Sequence, residues 1–121
     1  MPSSMGGAID TVNCQGIEMK LTLASSKFDE QQMIFTAEIV ERIKLKLQEA
    51  GVNGEKLEDL TASIALSITG VIDDMAGIEA NGLEVHPYLT FRTDDDELIH
   101  CGENAYTYEH VYAAMKKLFH A

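Results

Sequence analysis

The sequence predicts an α+β fold: an antiparallel sheet packed by a helical hairpin plus a C-terminal helix, in the order β-α-α-β-β-α. Three observations carry this. Apolar and polar residues alternate at 17–23 and again at 83–92. Apolar residues recur at intervals of three and four between positions 35 and 75. Gly51 and Gly77 stand where the two helical patterns stop. A chain of 121 residues with 45% hydrophobic composition is long enough for one core, so residues 1–121 are read as a single domain. Residues 1–8 are small or polar and are expected to be flexible.

Each element has its own local reason. Ile17, Met19, Leu21 and Leu23 share one face of an extended segment opposite Glu18, Lys20 and Thr22, which predicts a half-buried strand. Residues 8–14 are a weaker partner for it, turning at Gln15-Gly16. Ser25-Ser26-Lys27 supplies helix-start chemistry, with Asp29 and Glu30 expected in the first turn. Phe35, Ile39, Val40, Ile43, Leu47 and Ala50 then follow helical spacing to the stop at Gly51.

A second helix begins near Glu55. Leu57, Leu60, Ile64, Ile68, Val71 and Met75 form its apolar stripe, and no charge falls between Leu60 and Ile72. Thirteen residues are too few to cross a bilayer, so this is expected to be the central helix, flanked by the sheet and another helix. Ser63, Ser67 and Gly70 leave room for a second backbone, from the first helix or from another copy across a homodimer seam. Asp73 and Asp74 sit at the negative end of this helix, where carboxylates are disfavoured and a paired or functional role is the reason to keep them.

Asn81-Gly82 is a hairpin turn signal, joining a short segment at Ile78 to the next strand. Residues 83–92 read as one continuous strand, with Pro87 at an edge or bulge, returning through Thr93–Asp96 to a strand at 97–101. Thr107 is placed to cap a last helix carrying Val111, Ala114, Met115 and Leu118.

The formal net charge is −11. Residues 73–109 hold ten acids against the single base Arg92. Such a surface repels phosphates, which argues against direct nucleic-acid binding and against anionic membranes. No apolar run approaches a membrane span, and the N-terminus lacks the pattern of a secretory signal. The expected compartment is therefore cytoplasmic, with Cys14 and Cys101 as free thiols.

No G-x-S-x-G, H-E-x-x-H, P-loop or G-x-G-x-x-G motif occurs, and Asp94–Glu97 lacks the spacing of a calcium loop. His86, His100, Cys101 and His110 are the candidates for a metal or nucleophilic site, with Asp73 or Asp74 as accessory carboxylate. His100 and Cys101 are adjacent on a strand and point to opposite faces, so no metal and no cofactor is expected. Asp94, Asp95, Asp96 and Glu97, with Tyr106 and Tyr108, are the candidate surface for a basic protein partner. The reading that follows is a non-enzymatic interaction or regulatory module acting as a homodimer. The alternative is a small metal-dependent or cysteine hydrolase using the histidines. A third option is an apolar pocket lined by Ile64, Ile68 and Phe91.

Overall fold

The computed structural model describes residues 11–14 and 17–121, with side chains from Met19 onward. The fold is α+β in the expected order. Strands β1 (Thr11–Cys14) and β2 (Ile17–Leu23) precede helices α1 (Ser25–Glu49) and α2 (Gly54–Ile72). Short strands β3 (Ile78–Ala80) and β4 (Leu83–Val85) follow, then β5 (Phe91–Arg92), β6 (Glu97–His100) and helix α3 (Thr107–Phe119). The expected flexible residues 1–8 and the Gln15-Gly16 turn lie outside the described residues.

The main sheet has the order β1-β2-β6-β5. Its outer pairs are antiparallel, as expected, but β2 and β6 run parallel, with Leu21 opposite Leu98. The sheet is therefore mixed. Its cause is that both central strands lead into helices, β2 directly into α1 and β6 through a short loop into α3. The Ala24 N–H donates to the His100 carbonyl at 2.9 Å, so the ladder continues to the residue before α1. That helix starts at Ser25 with no side-chain cap, which removes Asp29 and Glu30 from its first turn.

Ile99 is buried against Phe28 of α1, and Thr22, its lateral neighbour, shares that face. Leu98 and Leu21 therefore point away from the helices. The apolar side of β2 is the outer one, with Leu23 63% exposed.

The three helices pack on one another. The α1–α2 connection is a Schellman motif: Gly51, at φ 89°, donates to Gln48 O at 2.9 Å and Val52 to Leu47 O at 2.9 Å. The buried line of α2 is Leu57, Thr61, Ala65 and Thr69, continued by Asp73. It is displaced from the Leu60–Ile64–Ile68–Val71 stripe that the sequence suggests, and α2 rests on α1 and α3 rather than on the sheet. Small side chains let three helices approach closely. The buried hydroxyls cost little, because Thr36 donates to Gln32 O, Thr61 to Leu57 O and Thr69 to Leu66 O.

Residues 83–92 do not form one strand. β4 pairs with β3 in a separate hairpin, whose Asn81 and Gly82 both have positive φ (54° and 80°), as a type I′ turn requires. β5 pairs with β6. The stretch between them holds Pro87, which has no N–H to give to a ladder.

Candidate functional site

Asp73 is a buried carboxylate that accepts three hydrogen bonds. It is the C-cap of α2 and 1% exposed. Its Oδ1 accepts from the Thr107 N–H at 3.0 Å and the Thr107 hydroxyl at 2.7 Å, and its Oδ2 accepts from the Tyr108 N–H at 3.0 Å. A carboxylate at the unfavourable end of one helix thus caps the favourable end of another. Thr107 is the first residue of α3 and a donor to Asp73, not the expected cap. Asp74 ends α2 in a left-handed conformation (φ 61°), and its Oδ2 lies 2.9 Å from His86 Nδ1.

A second cluster ties the two strand–helix units together at the carboxyl ends of β2 and β6. His110 Nε2 lies 2.9 Å from Asp29 Oδ1, the same oxygen that accepts from Gln32 Nε2 at 3.2 Å. The fully buried Gln32 side chain also accepts from the Tyr106 N–H at 2.7 Å, and the Tyr106 ring centroid is 6.0 Å from that of His110. The His110 bond, with further help from Tyr106 and Gln32, holds the Asp29 carboxyl below its ordinary 3.8. Burial, then the Asp29 carboxylate, raises the Tyr106 hydroxyl above 10.0.

A depressed carboxyl pKa stabilises the fold above the unfolded value and ceases to do so as pH falls through the folded one. Asp29→Asn should therefore cost about 0.5–1 kcal/mol at pH 7, a magnitude set by a side chain that is half exposed. Urea titrations should show the difference shrinking below pH 3.8. An undiminished difference at pH 3 would refute the assignment.

The remaining candidates disperse. His100 Nδ1 accepts from the Gly102 N–H at 3.2 Å and lies 2.7 Å from the Tyr88 hydroxyl, so the imidazole proton belongs on Nε2. The Cys101 thiol is buried and donates to Glu103 O at 3.2 Å. His120 Nε2 pairs with Glu58 at 2.6 Å. Each histidine has a different partner, and among the described residues Cys101 is hydrogen-bonded to Glu103 rather than to a histidine. Among the described residues no three His, Cys, Asp or Glu side chains are grouped to hold a metal ion, and no buried side-chain polar atom lacks a partner.

Asp94 and Asp95 are exposed at the β5–β6 turn, while Asp96 pairs with Arg92 at 2.6 Å and Glu97 accepts from the Thr22 hydroxyl at 2.9 Å. Tyr106 and Tyr108 are half-buried beside the two helix-end clusters. Phe91 belongs to the sheet-side core, 5.2 Å from the Phe28 ring and 5.5 Å from Phe35, so it does not share a pocket with Ile64 and Ile68 on α2. Ser63 and Ser67 face solvent, and a methyl group at Gly70 would meet nothing within 4 Å. The backbone expected against these small residues is not supplied by α1.

Neither cluster is legible as a unit in the sequence, although Asp73, Tyr106, Tyr108 and His110 each stand out singly. Asp73 was visible as an anomaly, but its partner is 34 positions away. The Asp29–His110 pair, 81 positions apart, left no local signal. No helix among the described residues is long and apolar enough to cross a membrane. Comparison with protein-family models, curated proteins and solved structures finds no significant match.

Proposed function

We propose that this protein is a non-enzymatic interaction module that works as a homodimer. One observation carries the reading. The stretch from Leu60 to Ile72 has no charge, and its outer side is open, with Ile68 38% and Val71 43% exposed. The apolar surface continues to Met75, 62% exposed. Chains of net charge −11 repel one another, and an uncharged face is where two of them can meet. The separation of His86, His100, Cys101 and His110 favours this reading over a hydrolase. Asp94 and Asp95, left without ion-pair partners among the described residues, remain available for a basic client protein.

Sedimentation velocity over a hundredfold concentration range tests the proposal. The expected species has twice the 13.3 kDa chain mass, and association should tighten between about 20 and 300 mM salt as like-charge repulsion is screened. A monomer at every concentration overturns it.

A further inference from the structure

We infer that the dimer, on the self-association reading above, is an antiparallel two-fold pair of α2 helices centred on Ser67. Leu60, Ser63, Ile64, Ser67, Gly70 and Val71 share the outer side of α2 by their spacing of three and four. A two-fold axis at Ser67 pairs positions whose numbers sum to 134. Ile64 then faces Gly70 of the second copy, and Val71 faces its Ser63. Ile64 and Val71 each meet a small residue, symmetry repeats both contacts, and Leu60 falls opposite Asp74 at the rim. The space beside Gly70, open to 4 Å within the chain, is where the second copy's Ile64 enters. An unrelated partner would not need this reciprocal alternation, so the pattern selects a second copy.

Charge selects the antiparallel direction. Arg42 and Lys46 border Ile64, lining a shallow depression of about 280 Å³ with Ile43 and Leu47. At the other end of α2 stand Asp74, the β3–β4 hairpin with Glu79 and Glu84, and His86. Arg42 and Lys46 pair with Glu38 and Glu49 and so leave that end of the face close to neutral. Antiparallel pairing brings it toward the second copy's acidic end, whereas parallel pairing sets the two acidic ends together. A stable dimer buries about 800 Å² on each partner, more than one helix face offers. Pro87, Tyr88 and Leu89, which line a second depression with Val71 and Ile72, widen the face.

Cysteine cross-linking tests the register in a Cys14→Ser background, with that background protein as control. Ser67→Cys should form a disulfide-linked dimer under mild oxidation. Ser63→Cys should not link to itself but should link to Val71→Cys when the two proteins are mixed. Gly70→Leu, which the monomer accommodates, should weaken dimerisation at least tenfold while circular dichroism stays unchanged. Efficient Ser63→Cys self-linkage, or an unchanged dimer constant for Gly70→Leu, overturns the register. A dimer in sedimentation without the Ser67→Cys link also overturns it but leaves self-association standing. A monomer throughout removes both.

Discussion

Asp73→Ala should destabilise the fold by about 3 kcal/mol, within a range of roughly 2–4. The carboxylate serves three donors at the start of α3, two backbone amides and the Thr107 hydroxyl, and it is 1% exposed. Alanine leaves those donors without an acceptor where water does not reach, and removes a negative charge from the positive end of the helix dipole. Asparagine keeps the shape and one acceptor oxygen, so Asp73→Asn should lose about half as much. Thr107→Val removes the hydroxyl and should couple with Asp73→Ala, the double variant losing less than the sum of the two singles. Urea denaturation checks all three. A loss below about 0.5 kcal/mol for Asp73→Ala would mean that α3 is capped by water instead.

The same residue shows how far the sequence reaches. A carboxylate at a helix C-terminus violates a local electrostatic rule, and that violation is readable without any structure. Which group repays it is not, because Thr107 and Tyr108 arrive through four intervening strands. Periodicity has a similar limit. It placed Met19, Leu21 and Leu23 on one face of β2, and they do share one. It carried no information on which side the helices lie, since Thr22, beside Ile99, takes that side. Nor could alternation show that β2 and β6 are parallel, because strand direction is decided by the helices that follow them.

The displacement on α2 has a different origin. Hydrophobicity alone favours burying Ile64, Ile68 and Val71. The helix instead turns inward Leu57 and then the smaller Thr61, Ala65 and Thr69, ending at Asp73. That line satisfies two demands that a hydropathy pattern does not record: close packing of three helices, and delivery of a carboxylate to the start of α3. The outward stripe is the consequence, and a second copy would restore the burial that the monomer gives up. The histidines disperse for a plainer reason. β6 ends at His100, so Cys101 already lies in the loop that follows, and His86, His110 and His120 each bond a different carboxylate.

Phe28→Ala should produce the larger loss, about 3–5 kcal/mol. The ring is fully buried among Ile99, Cys101 and Ala105, and its centroid lies 5.2 Å from that of Phe91, which in turn lies 5.5 Å from Phe35. No flexible side chain stands ready to fill the void, because the neighbours are ring, strand and loop. Phe28→Leu should cost about 1–2 kcal/mol, since most of the volume remains. The position also has a regional signature. The helices have their own core of Val40, Ala65, Val111, Ala114 and Met115, whereas the sheet is held to the helical layer chiefly through α1. Hydrogen exchange on Phe28→Leu, which should still fold, ought to show amides of β2 and β6 losing protection while those of α2 and α3 retain it. Uniform loss across both regions would mean that the two cores open as one unit and that Phe28 is not the joint between them.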